Sequence, residues 1–149
     1  MRRIAALIAV SVAVGAALPV APAAASSPEA MMVKKINQIR RAHGVARMRP
    51  SLWLFYSARQ YARRMMRSDY FGHQSRIPVS GRFRRAGETL AMHTGWRLSP
   101  HRTVWQWMGS PSHRAILLSS SFTRLGVGRA RGNYGGRRAT MWVAHVAKP

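Results

Sequence analysis

The chain contains no cysteine. Disulfide staples and thiolate metal sites are therefore excluded, and the fold must rest on packing and hydrogen bonds. Acid is nearly as scarce: three Asp and Glu stand against twenty-five Lys and Arg, a formal net charge of +22 over 149 residues. The apolar run at the start is short for a membrane span, and no other stretch is long and apolar enough to cross a bilayer. Neither Gly-x-Ser-x-Gly nor His-Glu-x-x-His occurs, so the usual esterase elbow and zinc-protease helix are both missing.

With so few acids, the place of each is informative. Glu29 lies near the start of an expected helix and Asp69 at the end of another. Glu88 lies inside Ala86-Gly87-Glu88-Thr89-Leu90-Ala91-Met92, a mostly small and apolar run. A carboxylate in such a place must find partners or lose its charge.

Residues 1–25 read as a secretory signal. Arg2 and Arg3 precede the apolar stretch from Ile4 to Val14, Pro19 and Pro22 break it, and Ala23-Ala24-Ala25 offers small residues for cleavage before Ser26. Residues 26–149 then form one domain, secreted or envelope-associated, with no transmembrane segment after cleavage. So basic a surface attracts polyanions. Nucleic acid is the default partner for a cytosolic chain of this charge. Export argues against it and favours anionic envelope polymers or lipid headgroups.

Apolar spacing and turn residues predict the elements. A helix is expected over Ser26–Arg41, with Ser26 or Ser27 as cap and Gly44 as stop. Val45–Pro50 reads as a connector. Ser51–Arg67 is the clearest helix, with Phe55, Ala58, Ala62 and Met65 inward and Arg59, Arg63 and Arg67 on a wet face. Asp69–Ser80 reads as a loop, Gly81–Ala86 as a helical turn and Glu88–Met92 as a short buried strand. Ser99-Pro100 and Ser110-Pro111 each open a helix. Leu125–Arg131 and Thr140–Ala147 read as strands around a glycine-rich turn. Helices first and strands later make an α+β protein with a mainly antiparallel sheet.

Three residues carry the chemistry. His73 follows Phe71-Gly72 in the loop, Glu88 follows Gly87 in the apolar strand, and His113 lies in the first turn of a helix. The positive helix end and Arg114 both disfavour an imidazolium at His113, and a neutral imidazole is the form that binds metal or accepts a proton. The string Trp107-Met108-Gly109-Ser110-Pro111-Ser112-His113-Arg114-Ala115-Ile116-Leu117 resembles the Trp-Met-x-Ser-Pro-x-His-Arg-x-x-Leu signature of bacterial CAP (SCP) domains, relatives of cysteine-rich secretory and pathogenesis-related class 1 proteins. Phe71-Gly72-His73 is similar to their Phe-Ser-His, Ala86-Gly87-Glu88 to their Gly-Glu-Asn, Phe122–Gly128 to their Phe-x-x-x-Gly-Val-Gly strand, and Asn37–Arg41 to their opening helix.

The resemblance implies an α/β/α three-layer sandwich with an open cleft bearing His73, Glu88 and His113. It also implies a divalent metal, zinc foremost, on His73 and His113, and an apolar, lipid or protein ligand. The second acid that completes the family's tetrad is expected between His73 and Glu88, and residues 74–85 contain none. The Asn after the family's Glu is Thr89 here. Both departures favour a ligand- and envelope-binding module over the alternative, a metal-assisted hydrolase with His73, Glu88 and His113 as catalytic residues. His43, His93, His101 and His145 read as surface or core-edge side chains, and Ser110 and Ser112 as cap and first-turn residues.

Overall fold

The computed structural model describes residues 27–78, 81, 83–96 and 99–149. The expected signal at 1–25 lies outside the described residues. Four helices and four strands follow in the order α1 (Pro28–Ala42), β1 (Arg49–Pro50), α2 (Leu52–Arg67), β2 (Arg85–Thr94), α3 (Pro100–Gly109), α4 (Pro111–Leu118), β3 (Arg124–Tyr134) and β4 (Arg137–Lys148).

Two helix starts are fixed by side-chain caps, whereas Ser51 and Ser110 stand at the N-caps of α2 and α4 without a side-chain cap bond. Ser27 Oγ accepts from Ala30 N at 3.1 Å and Ser99 Oγ from Arg102 N at 3.3 Å, with Pro28 and Pro100 in the first turns. Ser27, not Ser26, is the cap of α1. Gly44, at φ +69°, lets the chain leave α1 in the left-handed region. Asn37 pins the chain beyond it, donating to Met48 O and accepting from Met48 N, both at 2.9 Å. Two expectations need correction. The connector contains β1, a two-residue strand parallel to β3. Arg85 and Ala86, expected in a helical turn, instead open β2, which runs ten residues because it pairs with β4 along its whole length.

The sheet order is β1-β3-β4-β2, antiparallel except for β1. Gly135 and Gly136, both at positive φ, make the two-residue turn from β3 to β4. Alternation divides the sheet faces. Leu125, Val127, Trp142, Ala144 and Val146 pack with residues of α1, α3 and α4. Leu90, Met141 and Val143 pack beneath Ala58, Tyr61, Ala62 and Met65 of α2. The result is the expected three-layer sandwich, and Arg59, Arg63 and Arg67 are exposed on the outer side of α2.

Two glycines of β3 set the height of α2. A Cβ on Gly126 would lie 2.1 Å from Phe55 N and 2.2 Å from Leu54 C, and one on Gly128 would lie 2.2 Å from Ala58 C. Helix and strand thus meet backbone to backbone. In place of a disulfide, Arg40 ties distant segments together. Its buried guanidinium donates to the carbonyls of Ala46, Leu117, Ser119 and Phe122.

Candidate functional site

Glu88 is the hub. It stands on the α2 side of β2, directly opposite His145 in β4. Only 6% of the residue is exposed. Oε1 receives His73 Nδ1 at 2.8 Å, and Oε2 receives Gln74 Nε2 at 2.9 Å and His145 Nε2 at 3.0 Å. Burial pushes the carboxyl pKa up, but hydrogen bonds from His145, His73 and Gln74, with the charge of His145, outweigh it and hold the pKa below the ordinary glutamate value. The lone interior acid therefore keeps its charge because its partners are present.

The sequence reading grouped His73, Glu88 and His113, and the structure places the three in one neighbourhood. His73 comes from the loop after α2, His113 from the first turn of α4. Their rings meet beside the outer edge of β2, with centroids 6.2 Å apart and planes at 50°. His113 makes no hydrogen bond to Glu88 among the described residues. Its pKa is lowered, by burial first and by the proximity of His73 second.

His145, expected at the surface or core edge, is instead fully buried and bonded to Glu88. Its other ring nitrogen, Nδ1, lies 2.9 Å from Ser57 Oγ on α2. Ser57 reaches it because Gly126, which lets α2 settle on the sheet, is the β3 neighbour of His145. Gln74 was missed as well, although it follows His73 directly in the expected loop. The available signal for His145 was a polar residue on the same strand face as Met141 and Val143, awaiting a buried partner.

Beside this cluster runs a groove between α2 and the loop at 70–78. One section, about 490 Å³, is walled by Trp53, Tyr56, Tyr61 and Pro78, with Ser57 and Arg64 among its polar lining. The next section, about 610 Å³, shares Tyr61, Arg64 and Gln74 and reaches His73 and Arg76. Trp53 and Tyr56 are 55% and 64% exposed.

Residues 33–146 match the model of the cysteine-rich secretory protein family, CAP. The chain belongs to the CAP family. This CAP domain is 31% identical over 119 residues to the uncharacterized protein YkwD of Bacillus subtilis (strain 168), a match covering 72% of the chain and 44% of YkwD. The chain thus spans less than half the length of that relative. An outer surface protein of Borrelia burgdorferi shares the fold at a TM-score of 0.66 and 18% identity, over 81% of this chain and 92% of that one. An extracellular SCP-domain protein of Bacillus anthracis does so at 0.66 and 22%, over 82% of this chain and 40% of that one.

The family implies a metal, and the donor set can be tested against it. Glu88 fixes Nδ1 of His73, which leaves Nε2 for a ligand, the usual carboxylate–histidine arrangement behind a metal. His113 is held toward its neutral form, as ligation requires. Two imidazoles on one tetrahedral zinc have centroids about 5 Å apart, so the rings need to close by about 1 Å. No group of three or more His, Cys, Asp or Glu suited to one ion occurs among the described residues. The residues fit a weak two-histidine site, with Glu88 orienting His73 and not ligating.

Proposed function

We propose that this CAP domain is an exported binding module for an apolar ligand carrying negative charge, held in the groove between α2 and the 70–78 loop. The composition of the groove carries the reading. Two aromatic side chains stand largely exposed over it, Arg64 and Arg76 flank it, and the nearby acid, Glu88, is buried with both oxygens engaged. Exposed Trp and Tyr are repaid when a ligand covers them, and uncompensated arginines favour an anionic group. Envelope lipids and anionic envelope polymers have this chemistry. Export is supported by the secretory character of residues 1–25 and by the extracellular and outer-surface proteins among the structural neighbours.

The test is co-sedimentation with phosphatidylglycerol and phosphatidylcholine vesicles at low and high salt. We expect retention on the anionic vesicles and at least tenfold weaker binding for Trp53→Ala/Tyr56→Ala. Retention unchanged by that double substitution would leave charge alone as the cause and remove the groove.

His73 supports a second reading, a divalent cation, zinc foremost, on His73 and His113. When bound, the ion supplies a Lewis-acid centre at the cleft edge. Glu88 would be the base of a metal-assisted hydrolase. Its engaged oxygens instead suit it to orienting His73 and keeping that ring's Nε2 turned outward.

A further inference from the structure

A binding role leaves one hydroxyl unexplained. Ser57 Oγ lies 2.9 Å from His145 Nδ1, and His145 Nε2 lies 3.0 Å from Glu88 Oε2. The hydrogen bonds place the protons. Glu88 Oε2 accepts from Gln74 Nε2 and, at 3.0 Å, from His145 Nε2, so Nε2 of His145 carries its hydrogen and Nδ1 is left to accept from the Ser57 hydroxyl. Gln74 Nε2 also donates to Oε2, so its 3.1 Å approach to His145 Nε2 reflects two donors converging on one oxygen. The outcome is a hydroxyl–imidazole–carboxylate chain, the arrangement that activates a serine.

A purely structural brace has no need to border a cavity, yet Ser57 lines the aromatic section of the groove. Gln60, Tyr61 and Arg64 follow it by three, four and seven positions and line the same section. The side chains of Gln60 and Arg64 make no hydrogen bond within the protein among the described residues. They are uncommitted donors of the groove section that Ser57 borders. Trp53, Tyr56 and Tyr61 supply apolar walls for an acyl chain.

We propose that Ser57 is a nucleophile that accepts the acyl group of an apolar carboxylic ester bound in this groove, with His145 as its base and Glu88 holding the imidazole. The proposal rests on the groove-binding reading and adds chemistry to it. Ser57 Oγ bonds to the ester carbonyl carbon while its proton passes to His145 Nδ1. Gln60 and Arg64, which line the same section, are the donors assigned to the resulting oxyanion. The C–O bond to the alcohol breaks, and the alcohol leaves with the proton from Nδ1. Water then attacks the acyl carbon and gives its proton to Nδ1. The Ser57 ester bond breaks, the acid leaves, and Oγ recovers the proton. Water is the one co-reactant, and the transient imidazolium lies against the Glu88 carboxylate.

The folded protein is treated with an alkyl fluorophosphonate and, separately, with p-nitrophenyl butyrate. We expect a single phosphonyl adduct, mapped by peptide mass to Ser57, and p-nitrophenol release lowered about 100-fold or more in Ser57→Ala and His145→Gln. Ser112→Ala, on the surface of α4, serves as a control and leaves both readouts unchanged. A folded protein with no adduct at Ser57, an adduct on Ser110 or Ser112 instead, or release undiminished in Ser57→Ala overturns the proposal. Quenching of tryptophan fluorescence by an unreactive alkyl phosphonate separates the two readings. Quenching without an adduct leaves the binding groove standing and removes the nucleophile, whereas no quenching and no adduct remove both.

Discussion

Replacing Gly126 with alanine tests how the site is assembled. The added Cβ would stand 2.1 Å from Phe55 N, 2.2 Å from Leu54 C and 2.6 Å from Leu54 Cβ. The first two are backbone atoms and cannot swing aside, so α2 must rise. Reaching an ordinary contact of about 3.4 Å takes roughly 1.3 Å of movement. Overpacking of this kind costs about 1–3 kcal/mol. The lift also separates Ser57 from His145, now 2.9 Å apart, and leaves the fully buried Nδ1 without its donor. An unsatisfied buried polar atom adds about 1–3 kcal/mol. Together the substitution costs about 2–6 kcal/mol, a large share of the total stability of a domain this size. At about 4 °C per kcal/mol, the melting temperature should fall by roughly 8–24 °C. Gly109→Ala is the matched control. Its Cβ meets nothing within 4 Å at the end of α3, so it should be neutral or raise stability slightly. Circular dichroism melts of both variants decide the matter. A Gly126→Ala protein melting within about 3 °C of the parent would refute the idea that backbone contact seats α2 and Ser57.

Three further outcomes follow from the geometry. The folded pKa of Glu88 is depressed, so its stabilisation is full above the ordinary value of 4.5 and is lost as pH falls through the lower folded value. Since the chain has only two other Asp and Glu side chains, Glu88→Gln should visibly flatten the acid limb of urea midpoints, and an unchanged limb would assign it elsewhere. Arg40→Met strands up to four carbonyls, and urea unfolding should show a loss of about 3–5 kcal/mol. Zinc titration calorimetry should give one weak site, abolished in His73→Ala/His113→Ala. Because the His113 pKa lies below 6.5, that ring keeps its neutral form to lower pH than an ordinary histidine, and heat of binding that persists in the double variant would remove the two-histidine site.

Local signals survived folding and distant ones did not reach the sequence reading. Helices α1, α3 and α4 begin close to where Ser and Pro announced them, and α2 was plain from its spacing. The need of Glu88 for partners was legible because an acid stood in an apolar strand. Which partners it found was not, since β2 and β4 meet through a register set across 57 residues, and that register alone sets His145 opposite Glu88. Ser57 was hidden for the same reason, as a small residue on the inner face of α2 looks like packing until the strand beneath is known. Strand β1 escaped because two residues show no alternation; it exists only through its pairing with β3. The three-layer fold and the His73–His113 neighbourhood came from the family resemblance, because periodicity names elements without arranging them.

The Arg40 clamp has a consequence for where this domain can work. It joins the end of α1 to segments 77 to 82 residues away through guanidinium–carbonyl hydrogen bonds. A cross-link of that kind is indifferent to electron supply. Thiol reductants cannot open it and no oxidase is needed to close it, so the domain should mature equally well on either side of a redox boundary.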